Sequence, residues 1–130
     1  MNNLNSINGI IESKLLTLHT AYIGKVLKYS NGKADIQPLQ MIKQYGRPAE
    51  QHSPIPNVPV TQQARFKMST KTANTGVTNI TYIEPVPLAA GDIVVCVCGE
   101  RDITEAKNGK LSVPTIGHHS MSDSIVVGIL

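Results

Sequence analysis

The sequence predicts an all-β domain preceded by one helix, and three observations carry that expectation. Stretches rich in β-branched residues recur along most of the chain. Tight-turn signals separate them: Ser30-Asn31-Gly32, Asn74-Thr75-Gly76, Gly91-Asp92 and Lys107-Asn108-Gly109-Lys110. Helical periodicity is confined to the N-terminus. With 130 residues, 41% hydrophobic and 16% charged, the composition is that of one folded domain and not of a disordered segment. The low charge fraction leaves much of the surface neutral, which is compatible with burial against other subunits.

Residues 3–18 are read as the helix. Leu4, Ile7, Ile11, Leu15 and Leu18 recur at spacings of three and four and share one stripe. Asn2, Asn3 and Asn5 are candidate caps. Gly9 costs roughly 1 kcal/mol relative to Ala, Lys14 interrupts a strict heptad, and about two heptads are too few for a self-sufficient coiled coil. The stripe predicts a helix packed on its own domain, with docking on a neighbouring subunit as the alternative.

From His19 onward the pattern is β. Thr20–Tyr29 is a strand, Ser30-Asn31-Gly32 a hairpin turn, and 33–43 the returning strand, with Pro38 confining part of it to an edge or bulge. Pro48, Pro54, Pro56 and Pro59 make 48–59 an extended connector anchored by Ile55, Val58 and Val60. Residues 61–75 are polar and Val77–Ile83 is a β-branched strand. Together 61–84 form a long hairpin or excursion, ended by Pro85 and Pro87. The Gly91-Asp92 turn leads into Ile93–Cys98, apolar on both faces and therefore expected as a buried central strand. One helix and five or six short strands at this length point to a five-stranded OB-type barrel. The chain divides into a helix at 1–18 and a barrel domain at 19–130.

The net charge of +3 is mild, and Arg65, Lys67 and Lys71 form the only local basic cluster, thinner than a nucleic-acid footprint. Cys96 and Cys98 occupy alternate positions of one strand, so their side chains share a face but are held apart. A reduced, cytosolic setting is expected. The first charge is Glu12, so the basic start of a signal peptide is absent, and no apolar run approaches the ~20 residues of a membrane span. Synthesis in the cytosol is the expectation, with exit by lysis or by a machine.

His118, His119, Ser120, Ser122, Asp123 and Ser124 contain every residue type of a hydrolase triad. Neighbours on one loop do not converge on one substrate atom, so a polar turn or interface is the better reading, and no catalytic residue is assigned. Cys96 and Cys98 with His118 or His119 offer nitrogen and sulfur ligands for zinc. An apolar strand is the usual home of structural cysteines, so neither metal nor cofactor is expected. A monomeric OB module that stacks single-stranded nucleic acid is the alternative function. Only Phe66 lies in the basic cluster, however; Tyr22, Tyr29, Tyr45 and Tyr82 lie elsewhere.

One resemblance covers most of the chain. Gly24-Lys-Val-Leu-Lys-Tyr29 with Ala34-Asp-Ile-Gln-Pro38 comes first, followed by Ile55-Pro-Asn-Val-Pro-Val60. Leu88-Ala-Ala-Gly91-Asp92-Ile-Val-Val, Arg101-Asp102 and His119-Ser-Met-Ser-Asp-Ser-Ile125 complete the series. In order and spacing these resemble the OB-domain central spike proteins of contractile phage-tail and tailocin baseplates. The resemblance implies a homotrimer on the tail axis at the end of the tube, made in a bacterial cytoplasm and carried in the virion tail or tailocin particle. Its implied partners are the tube and hub proteins of the baseplate and, transiently, the host envelope, against which sheath contraction drives it. No nucleic acid is implied. Gly91 and Asp92 would shape a turn. Arg101, Asp102, His119, Ser122 and Asp123 would hold the closing loop over the barrel end and the neighbouring chain. Related tips hold iron through His-x-His, a spacing that His118-His119 lacks, so no metal is carried over. The N-terminal helix and residues 61–76 fall outside the likeness. Many relatives continue into a long β-helix; here Leu130 follows five residues after Ile125, which predicts a minimal spike or a base for a separate tip protein.

Overall fold

The structure, a computed structural model, describes residues 3–16, 19–43, 46–99, 103–111 and 120–130. Helix α1 spans Asn3–Leu16. The strands are β1 (Ala21–Ser30), β2 (Lys33–Pro38), β3 (Ile55–Pro59), β4 (Phe66–Asn74), β5 (Asn79–Pro87), β6 (Ile93–Cys98) and β7 (Ser124–Ile129). Five of them form one sheet in the order β3-β2-β1-β6-β7, and β4 and β5 pair separately. All the strand pairings are antiparallel.

The β1–β2 turn follows from its residues. Asn31 and Gly32 adopt positive φ of 51° and 76°, which a two-residue hairpin of right-handed twist requires and which Asn and Gly tolerate best. Strand alternation then builds the core. Tyr22 and Val26 of β1, Ala34 and Ile36 of β2, Val94, Cys96 and Cys98 of β6, and Val126 of β7 all face inward and are buried. Ile55, Val58, Val60, Ala64 and Leu88 complete the cluster. The side chains are small, with no Phe or Trp among them. The single buried aromatic among the described residues, Tyr22, places its hydroxyl 2.8 Å from the buried Ser124 hydroxyl, so each satisfies the other. Gly24 is buried because β1 crosses β2 closely there; a Cβ at this position would meet Ile36 Cγ2.

Register shifts at Val26/Lys28, Ala34/Ile36 and Val95/Cys96 bend and twist the sheet. It curls into a half-barrel whose outer strands approach each other. Val60, directly after β3, forms a parallel bridge with Val126 of β7, and the Thr61 N–H donates to the Val126 carbonyl at 3.1 Å.

Four expectations are corrected. Helix α1 does not bury its stripe on its own domain: every described side chain from Asn3 to Leu15 is exposed. The second half of the proline-rich connector is a strand, β3, because Ile55 and Val58 face the core while Pro56 stays exposed. Pro85 and Pro87 do not end the strand that precedes them but lie inside β5, opposite Met68 and Phe66. They share one pleat phase of a strand with a free edge, so their missing N–H groups cost the ladder nothing. Strand β6 is central, between β1 and β7, but only its inward face is fully buried. Val97 on the outward face is 42% exposed.

Replacing Gly24 with Ala tests the close β1–β2 crossing. The added methyl must displace Ile36, and Gly24→Ala is expected to cost about 1–3 kcal/mol. A lowered urea midpoint at unchanged slope reads that cost directly.

Candidate functional site

The Gly91-Asp92 turn is the best-organised polar feature of the structure. Gly91 takes φ of +94°, a conformation that a side chain resists. Its N–H donates to the Val26 carbonyl, and the Val26 N–H donates to the Asp92 carbonyl, both at 2.8 Å. The Asp92 carboxylate accepts from the Ala89 N–H at 2.8 Å through Oδ2 and from Lys67 Nζ at 2.9 Å through Oδ1. Burial alone would raise this carboxyl, but the Lys67 ammonium and the Ala89 N–H outweigh it and hold it below its usual range. The turn therefore joins three elements: the β1 bulge, the start of β6 and, through Lys67, the β4–β5 hairpin.

The closing segment lies at the far end of β6. Met121–Asp123 form a short 3-10 turn whose Ser120 side chain accepts from the Ser122 N–H at 3.3 Å. The Ser120 and Ser122 hydroxyls are 2.8 Å apart. Asp123 reaches both ways across the strand end: its carbonyl accepts from the Gly99 N–H at 2.7 Å and its carboxylate from the Ile103 N–H at 3.4 Å. Asp123 thus holds the segment that leaves β6 by these two hydrogen bonds. Ser122 is exposed and bonds locally. Arg101, Asp102 and His119, with His118 and Tyr45, lie outside the described residues. Of the seven signature residues the structure thus describes Gly91 and Asp92 at one end of β6 and Ser122 and Asp123 at the other.

Three of the side chains with chemical potential are buried. Ser124, one candidate nucleophile, is buried against Tyr22. Cys96 and Cys98 both face the core; burial pushes the Cys96 thiol up to about 11 and raises Cys98 as well, the latter helped by Asp123. Burial and a raised pKa both work against thiolate formation at these two positions. No group of three or more His, Cys, Asp or Glu suited to a metal ion occurs among the described residues. His19 and His52 meet edge to face at 6.0 Å; burial, then the charge of His52, keep His19 below its ordinary value.

The basic cluster is divided by the hairpin. Strand alternation puts Phe66 and Met68 on one face and Lys67 and Lys71 on the other. Lys67 is paired with Asp92 and Lys71 with Glu84, while Arg65 Nε donates to the Val60 carbonyl at 3.2 Å. A base stacked on Phe66 would find its phosphates remote from these cations.

Several apolar faces are bare, and of these sequence reasoning singled out only the α1 stripe. On α1, Leu4, Ile7, Ile10, Ile11 and Leu15 are between 50% and 63% exposed. On the outer face of the sheet, Leu39, Ile23, Leu27, Val97 and Val127 are between 42% and 46% exposed. The hairpin adds Phe66, Met68 and Ile83 on one of its faces, all at least half exposed. The signal was present in β1 and β6, apolar on both faces, but it reads equally as burial within one chain. Scattered surface apolar residues are ordinary, whereas contiguous patches mark contact surfaces.

No family model matches this chain, and no curated protein matches it.

Replacing Asp92 with Asn tests the turn. Because the folded carboxyl lies below its unfolded value of about 3.9, its contribution is present above that value and is lost as pH falls through the folded one. Asp92→Asn is expected to cost about 1–2 kcal/mol at pH 7, allowing for partial solvent screening of Lys67. The gap to the unmodified protein should narrow progressively as pH falls below about 4, followed by urea melts at descending pH.

Proposed function

We propose that this chain is a homotrimeric OB-fold spike of a contractile tail or tailocin baseplate, seated at the end of the tube and acting mechanically. The OB reading is supported by the strand order β3-β2-β1-β6-β7, together with the parallel approach of Val60 to Val126 that brings the outer strands towards closure. The sequence likeness, from Gly24 through the closing His119–Ile125 segment, supports the spike assignment. The hydrogen bonds that Gly91, Asp92 and Asp123 make at the two ends of β6 support that reading.

The observation that carries the reading is the pair of bare apolar surfaces, helix α1 and the outer face of β1, β6 and β7. In a lone chain they are exposed to water; in an oligomer they become its interfaces. Mechanical work needs no catalytic group, and the chemistry of the site, with buried thiols and a buried Ser124, fits such a role. The nucleic-acid module is disfavoured by the paired cations on the face opposite Phe66.

Light scattering after gel filtration, over a hundredfold range of concentration, is expected to return the mass of three chains throughout. No salt-dependent retention of a single-stranded oligonucleotide is expected. A monomer that binds the oligonucleotide would replace the spike with the nucleic-acid module.

A further inference from the structure

The outer sheet face has a defined shape. Register places Ala21, Val97 and Ile125 in one row across β1, β6 and β7. It places Ile23, Val95 and Gly128 in the next, and Leu39 extends this second row because its N–H donates to the Ile23 carbonyl at 3.0 Å. Gly128 has open space where a Cβ would stand, leaving a shallow notch. The plateau from Leu39 to Gly128 crosses four strand positions, about 14 Å at ordinary strand spacing. Lys25, opposite Ile93 and one pleat beyond Ile23, is the only charged side chain among the outward residues of β6, β7 and β1 from Ala21 to Leu27. It has no ion-pair partner among the described residues.

Helix α1 has the complementary dimensions and charge. Its stripe from Leu4 to Leu15 runs about 16 Å at helical rise. Glu12 borders the stripe on the Leu15 side, Lys14 borders the opposite edge, and these are the helix's two charges. Glu12 likewise has no ion-pair partner among the described residues.

We infer that α1 of one protomer lies across the outer sheet face of a second copy, with Leu4, Ile7, Ile11 and Leu15 on the two apolar rows. Glu12 then faces Lys25. Each copy offers one helix and accepts one; around a three-fold axis that contact is heterologous and closes as a ring. The inference rests on the trimer proposed above for the number of copies in that ring. Burial of the stripe supplies the attraction. The Glu12–Lys25 pair, weak as a surface ion pair, decides which edge of the helix faces which edge of the sheet.

Co-expression of an Ile11→Cys chain with a size-tagged Ile23→Cys chain tests this, since both positions are exposed and tolerate substitution. Mild oxidation is expected to yield the mixed disulfide, while a control pairing Ile11→Cys with Thr72→Cys on the hairpin yields at least tenfold less. Glu12→Lys is expected to weaken assembly several-fold in low salt, and Lys25→Glu in the same chain to restore it. A trimer by mass that gives no more mixed disulfide than the control would overturn the helix placement and leave the spike reading standing. A disulfide formed within one chain carrying both cysteines, with no mixed product, would show the helix covering its own sheet and would also overturn the placement. A monomer without any cross-link would remove both.

Discussion

Val26 is where the main sheet, its curl and the polar turn meet. Its side chain is fully inside the core, while its N–H and carbonyl, on the β6 side of β1, exchange hydrogen bonds with the Gly91-Asp92 turn. That exchange starts β6 beside β1 in a register that brings Val94 and Cys96 inward against Ile36 and Val126. Without a residue at positive φ in the turn, the Gly91 N–H would not reach the Val26 carbonyl, and β6 would begin out of step. A one-residue slip would send its buried set to the outside.

The core that results is small-sided. Valine, isoleucine, alanine and cysteine fill a half-barrel, and the one tyrosine inside requires a serine to satisfy its hydroxyl. Such a core leaves little margin for a hairpin that projects as a separate two-stranded ribbon, a form marginal by itself in water. The β4–β5 hairpin is fastened at its base by Lys67 to Asp92 and by Leu88, which is buried in the core. The residue that organises the half-barrel's turn, Asp92, is thus also the hairpin's anchor.

Apolar surface left over after folding gives the functional reading its direction. Soluble chains of this size place some hydrophobic side chains outside, but here they line a helix stripe, a sheet face and a hairpin face. For the spike proposed above, interfaces that bury such surface would spread an axial load over rigid strands. The polar groups have local tasks, bonding turns and strand ends.

The sequence by itself determined the local pieces. Asn31-Gly32 dictated the hairpin, because few residue pairs accept two positive φ values. Gly91-Asp92 dictated a turn ahead of the apolar strand, and the three-and-four spacing of Leu4, Ile7, Ile11 and Leu15 dictated a helix. These are short-range effects, readable within a few neighbours. Only the tertiary structure decided that Asp92 binds Lys67, twenty-five residues away in sequence, that Asp123 binds the Ile103 N–H, and that β3 belongs to the main sheet. It also decided that the apolar helix stripe and the outer face of β6 stay bare. Periodicity states that a face is apolar, but what covers that face depends on contacts between residues distant in sequence, and for an assembling chain on contacts between molecules.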